Sequence, residues 1–439
     1  MSSDDLGLAE AVSMAVGGMI GGGIFAVLGV VASTAGLLAW FAFVVAGVIA
    51  ACAGYSFVRL NALTDERAGP ITYIERFTGS TKLAGMTGWT FVFGYVGTMA
   101  MYAYAFGGYF SELVGVASVL GVPLRPLASL AAVGAFVGLN VLGAHASGRT
   151  EDLLVGLKVA ILLLFGVGGV YYGLANGSLG LGLSQFGAGP LIAAAISFVA
   201  FEGWELLMFD QGSIENPEET VKRAIFASIF AATIIYVLVA IVTTNLAPEG
   251  AIQQHPETAL AIAARPFLGQ VGFVLIALAA VFSTGSAINA TLFSSSRLAG
   301  RMVSEDMLPH QIEGDGDGQP VRAVLVLGAL TAAFTVYGSL NGITSFASLA
   351  FITVFGAVSY LAFRQRESPR TALIPAVGVL GAVATVVALL WHLATREPAV
   401  FTSVVLVAAT VVVVELLYFE REPLAAELGE VEERVEDAV

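Results

Sequence analysis

The chain has 439 residues, of which 57% are hydrophobic and only 12% charged. A soluble domain carries about 25% charged residues, so the composition excludes an ordinary soluble enzyme or binding module. The formal charge is −14 and no basic patch is visible, which argues against a nucleic-acid partner.

Many apolar runs reach the roughly 20 residues that a helix needs to cross a bilayer. They indicate an all-α integral membrane protein; an outer-membrane barrel would show alternating segments of about 10 residues. Twelve spans are read at 8–33, 36–58, 84–113, 127–147, 152–175, 190–210, 222–246, 268–297, 321–339, 342–363, 372–394 and 398–418. Met1 to Leu6 carry two aspartates and no basic residue, so the first span is expected to be a retained helix rather than a cleaved signal.

That first span holds the most unusual stretch of the chain, Gly17-Gly18-Met19-Ile20-Gly21-Gly22-Gly23-Ile24-Phe25. Glycine costs about 1 kcal/mol per helical residue against alanine. The cluster is therefore expected to unwind the helix at mid-membrane. Unwound backbone is tolerated there only when it is buried in protein or lines a cavity. The alternative role for these glycines is close helix packing. A binding role is expected of Gly21, Gly22 and Gly23, and packing of Gly17 and Gly18.

The first two spans, and spans nine and ten, nearly abut and need tight turns, the second expected at Asn341-Gly342. The single cysteine, Cys52, excludes an internal disulfide. Span five carries Lys158 about one turn inside. Span six is interrupted at Phe201-Glu202-Gly203-Trp204-Glu205. Carboxylates at such depth are functional by default. Glu202 can favour a cationic substrate, exchange protons, or simply face a hydrated vestibule, and the sequence leaves all three open. Phe201 is either a lid over a substrate or ordinary packing, and Tyr95 and Tyr104 are candidate wall residues. His145 and His392 lie at span ends, His255 and His310 in loops; no histidine pair has metal spacing. The segment Gly314-Asp315-Gly316-Asp317-Gly318 is read as an acidic connector. No cofactor is expected.

Basic residues set the orientation. Arg59, Arg67, Arg76, Lys82, Arg149, Lys222, Arg223, Arg297, Arg301, Arg322, Arg364, Arg366 and Arg370 follow even-numbered spans, against Arg125, Arg265 and Arg396 after odd-numbered ones. Both termini are thus expected in the cytoplasm. The acidic, lysine-poor surface suggests adaptation to high salt, with an ordinary acidic tail as the alternative. Five spans separate the two interrupted helices. Breaks at matching places in halves of opposite topology are the best sequence pointer to a transporter site. The expected organisation is a first repeat at 1–175, an inverted second at 176–366, two further spans at 367–419 and an acidic tail at 420–439.

Several blocks resemble a known family. Ile20-Gly21-Gly22-Gly23-Ile24-Phe25 with Gly29 resembles the first-helix signature of amino acid–polyamine–organocation (APC) superfamily transporters. Phe198 through Glu205, followed by Glu215-Asn216-Pro217 and Lys222-Arg223-Ala224-Ile225, resembles the sixth helix and the loop after it. Gly69-Pro70-Ile71-Thr72-Tyr73 is similar to the loop after the second helix. Ser296-Arg297 with Met302, Asp306, Leu308 and Pro309 is similar to the end of the eighth. The blocks occur in order across residues 17–310.

The resemblance implies twelve helices in a five-plus-five inverted repeat of the leucine-transporter type, with helices 1 and 6 broken. It implies a proton-coupled secondary transporter, not an enzyme, moving amino acids across the cell membrane by alternating access, with an amino acid, protons and the lipid bilayer as partners. Exchange without proton coupling and a non-transporting sensor of the same fold are the alternatives; monomer or homo-oligomer is open. It places substrate-ammonium acceptors at the carbonyls of Met19, Ile20, Val199 and Glu202, and gives Glu205 a part in gating. Lys158 would occupy the place of a coupling cation, beside the hydroxyls of Ser283 and Ser286. Glu202 departs from the family pattern, which is usually apolar there.

Overall fold

The computed structural model describes residues 6–64, 69–143, 148–248, 250–312 and 320–419. The acidic tail, the Gly314–Gly318 connector, Arg67 and His145 lie outside the described residues. In chain order the helices are α1 (Leu8–Ala35), α2 (Ala39–Ala62), α3 (Pro70–Thr78), α4 (Thr81–Val114), α5 (Leu124–Val141) and α6 (Gly148–Ala175). There follow α7 (Gly189–Ser197), α8 (Leu206–Phe209), α9 (Pro217–Leu246), α10 (Ala251–Gln254) and α11 (Ala259–Ser304). The chain ends in α12 (Val321–Tyr337), α13 (Leu340–Arg364), α14 (Pro369–Arg396) and α15 (Pro398–Phe419). A two-residue hairpin, β1 (Ser118–Val119) with β2 (Val122–Pro123), precedes α5. Nine segments among the described residues are long and apolar enough to cross a membrane.

α1 occupies the middle of the molecule. Every residue from Met19 to Ala32 is buried, as expected of a helix that is apolar all round, and it packs against α4, α6, α7, α9 and α11. α14 and α15 lie at the periphery. They turn large side chains such as Leu380, Trp391, Leu406 and Leu417 outward, the arrangement expected where the surrounding medium is hydrocarbon.

The local chemistry explains most boundaries. Gly36, at φ +55°, ends α1 and lets the chain turn through Gly36–Leu38 directly into α2. Pro217 opens α9 at a position where no N–H is needed. Glu218 and Glu219 sit in its first turn, where the helix dipole favours negative charge.

Two expectations are corrected. α1 is an unbroken α-helix through the whole glycine cluster. Asn341-Gly342 is not the turn before α13 but lies in its first turn, because Ser339 caps the helix by accepting the Gly342 N–H at 3.1 Å. The eighth span, read from 268, starts at a break: Gly269, whose φ of +62° lies in the left-handed region, separates it from a short helix that begins at Ala259 within α11.

Candidate functional site at a helix break

α7 does not run on into α8. It tightens into a 3₁₀ turn over Phe198–Phe201, Glu202 is extended, and Gly203 adopts φ +122° before the single turn of α8. The interruption expected at Phe201–Glu205 is therefore present. Only glycine takes that φ without strain. The absence of a side chain also matters for contact. A Cβ on Gly203 would lie 2.7 Å from the carbonyl carbon of Gly18 and 2.8 Å from the Met19 nitrogen. The broken segment thus rests backbone to backbone on α1.

The same contact explains why α1 stays helical. A Cβ on Gly18 would meet Gly203 Cα at 2.9 Å, and one on Gly23 would meet Ala200 Cα at 2.8 Å. At Gly22 it would lie 2.0 Å from the Tyr102 ring, at Gly21 3.1 Å from the Ala287 methyl, and at Gly17 2.8 Å from Val155. All five glycines therefore admit neighbours on different sides of α1. Helix association in a membrane depends on such close approach by small residues. Packing on every face offsets the roughly 1 kcal/mol per glycine that would otherwise favour unwinding.

The backbone acceptors expected near the site are already engaged. The Tyr236 hydroxyl lies 2.7 Å from the Met19 carbonyl and 2.8 Å from that of Ala200, bridging α1 and the broken segment. Ser283 donates to the Ile20 carbonyl at 3.1 Å. The Val199 carbonyl accepts the Glu202 N–H at 3.3 Å, while the Val199 N–H donates to Ser348. In helical α1 the Met19 and Ile20 carbonyls also accept N–H groups of the next turn, so both are fully engaged while that helix is intact. Tyr236→Phe strips both bridged carbonyls of the hydroxyl. It should destabilise the protein by about 1–3 kcal/mol, read as a lowered melting temperature in detergent.

Both carboxyl groups of the break are buried. Glu205 accepts the Gly203 N–H at 2.7 Å and the Tyr95 hydroxyl at 3.2 Å. Glu202 accepts the Tyr102 hydroxyl at 3.4 Å, with Thr98 beside it. Lys158 is buried in α6, one turn beyond Val155 and so on the face turned to Gly17. Ser286 is half-buried next to Ala287. The structure thus gathers Met19 to Gly23, Val199, Glu202, Glu205 and Ser283 around one contact between α1 and the break.

Other candidates fall elsewhere. Phe201 does not cover the site; its ring packs edge-on against Tyr236 at 5.2 Å and reaches α2 at Gly47. Trp204 stands between Phe57 and Phe355, each 5.1 Å away. Tyr104 is capped by the Arg125 guanidinium at 3.7 Å. His392 lies 3.5 Å from Glu397, far along the chain from the break. Among the described residues no group of histidine, cysteine and carboxylate side chains could hold a metal.

The residues that sequence reasoning missed are Tyr102, Tyr236, Thr98 and Ser348. One signal for the first was available. Tyr95, Tyr102 and Tyr109 recur every seven residues, so they share a face of α4. All three are buried, and Tyr109 donates to the Phe25 carbonyl at 3.2 Å. This tyrosine stripe lines α1 and the break together.

A family model described as amino acid permease matches residues 6–414. The chain belongs to the amino acid permease family. The permease is 32% identical over 359 residues to the uncharacterized protein MJ0609 of Methanocaldococcus jannaschii, covering 81% of each chain. It is 30% identical over 389 residues to the inner membrane transport protein YbaT of Escherichia coli, covering 88% of this chain and 90% of YbaT. Its fold is similar to that of a solved Eremococcus coleocola manganese transporter, with a TM-score of 0.57, 12% identity and 94% of both chains covered. It is a multi-pass membrane protein of a transporter family.

Proposed function

We propose that this permease is a secondary active transporter that moves amino acids across the cell membrane by alternating access, coupled to protons. The observation that carries the reading is the broken helix seated on the glycine face of α1. Irregular backbone with two buried carboxyl groups is placed beside the fully buried Met19–Ala32 stretch of α1. In a membrane such backbone belongs at a site rather than at a lipid-facing surface. Twelve spans in a five-plus-five inverted repeat, over 1–175 and 176–366 with 367–419 outside it and both termini cytoplasmic, complete the proposed architecture.

The substrate would sit between α1 at Met19–Gly23 and the break at Val199–Glu202. The α1 turn at Gly21–Gly23 is helical in this structure. Its N–H groups would become donors for a carboxylate when that turn opens, a step that the low helix propensity of glycine favours. Lys158, with Ser283 and Ser286, would carry the proton-linked step, and Glu205 would hold the gate.

Labelled amino acids offered to proteoliposomes, with and without an imposed pH gradient, test the reading. Accumulation that follows the gradient is expected. Lys158→Ala should abolish gradient-driven accumulation while leaving exchange of internal for external amino acid. Accumulation unchanged by that substitution would remove the lysine as the coupling group. Exchange alone in the wild type would favour an exchanger, and failure of every amino acid to move would overturn the transport reading.

A further inference from the structure

We propose that Tyr102 is a gate that the substrate itself displaces. The inference rests on the transport reading above and adds to it a residue and a direction of effect. Tyr102 is fully buried in α4 and makes two contacts that bear on the site. Its ring lies flush against Gly22, so closely that a Cβ there would stand 2.0 Å from its Cδ1. Its hydroxyl reaches past α1 to Glu202 at 3.4 Å, on the extended residue where the helix breaks.

The ring therefore fills the space that a ligand on the Gly22 face of α1 would need. The hydroxyl meanwhile ties α4 to the break. A molecule seated on Gly21–Gly23 has to push the ring aside, and that movement takes the hydroxyl away from Glu202. Occupation of α1 and release of Glu202 become one event. Tyr95, one face-repeat earlier, differs in kind. Its hydroxyl holds Glu205 and its ring stacks in the Phe91 and Phe351 cluster, 5.9 and 5.3 Å away, rather than against a glycine. Tyr95 is a strut, while Tyr102 is the movable member of the stripe.

A wall residue and a gate respond oppositely to loss of the hydroxyl. A wall residue that helps hold the substrate binds less well without it. A gate that competes with the substrate for the closed state binds better without it, because apparent affinity is reduced by the fraction of molecules that are shut. One hydrogen bond of ordinary net strength corresponds to roughly threefold to tenfold in that fraction. Return of the empty carrier needs the closed arrangement, so turnover falls.

The test compares wild type, Tyr102→Phe and Tyr102→Leu, each checked for a monodisperse peak in detergent. Equilibrium binding of a transported amino acid and its rate of net uptake into proteoliposomes empty of substrate are measured together. Tyr102→Phe should bind roughly threefold to tenfold tighter and take up substrate more slowly in net uptake, with Tyr102→Leu shifted the same way. Binding that is unchanged or weaker in Tyr102→Phe overturns the gate, while uptake by wild-type vesicles in the same experiment leaves the transport reading standing. Absence of both binding and uptake in the wild type removes the transport reading and the gate with it.

Discussion

Gly203→Ala should abolish transport. The substitution is disfavoured twice. Its φ of +122° is a conformation that an L side chain rarely adopts, and strain of that kind costs about 1–3 kcal/mol. The new methyl would also press on the backbone of α1, 2.7 Å from the Gly18 carbonyl carbon and 2.8 Å from the Met19 nitrogen. Backbone cannot rotate away as a side chain can, so α1 and the break must separate. We expect at least a roughly hundredfold loss of exchange, equivalent to about 2.7 kcal/mol, or failure to recover folded protein. Gly134→Ala is the control. It lies on the outer face of α5 with open space where the Cβ would go. There the change should be neutral or stabilising by up to about 1 kcal/mol. Size-exclusion profile, melting temperature and exchange rate read both variants.

The second large effect is expected at Glu205. Its carboxyl does for the break what a cap does for a helix end, accepting the Gly203 N–H at 2.7 Å just where the chain turns. It also takes the Tyr95 hydroxyl from α4. Glu205→Ala leaves both donors buried without acceptors, at a cost of about 1–3 kcal/mol apiece. Glu205→Gln keeps one acceptor oxygen and should lose about half as much. Tyr95→Phe removes the second donor alone. A double-mutant cycle between the two sites should therefore show coupling, since they share one contact. Additive losses in melting temperature would mean that the Tyr95–Glu205 bond contributes nothing.

The positions of the long helices were legible because hydrophobic length is a strong signal and their ends are marked by Gly36, Pro217, Pro369 and Pro398. The break was legible too. An apolar helix has no reason to carry Glu202, Gly203 and Glu205 within four residues unless the chain departs from helix there. What the sequence could not decide was the state of α1. Poor helix propensity at Gly17 to Gly23 reads the same whether the turn is unwound or packed tightly. The partners that decide it are Tyr102, Val155, Ala200, Gly203 and Ala287, each from a distant part of the chain. Tyr236 was illegible for a related reason. A lone tyrosine in apolar α9 gives no sign that its hydroxyl will span Met19 and Ala200, whereas the sevenfold spacing of Tyr95, Tyr102 and Tyr109 did carry a readable pattern. Phe201 could be read as lid or packing because its place beside the break says nothing about its direction, and its ring packs against Tyr236.

Substrate is expected to occupy the contact between the glycine face of α1 and the break. Ser286 stands next to Ala287, the residue that meets Gly21, and is half-buried. Cys52 is the sole native cysteine, so Ser286→Cys in a Cys52→Ser background gives one reporter thiol. The decisive measurement is its alkylation rate in proteoliposomes as a transported amino acid is titrated. The rate should fall with substrate, half-maximally at the concentration that half-saturates transport. A rate unaffected by saturating substrate, in vesicles that transport it, would place the substrate elsewhere.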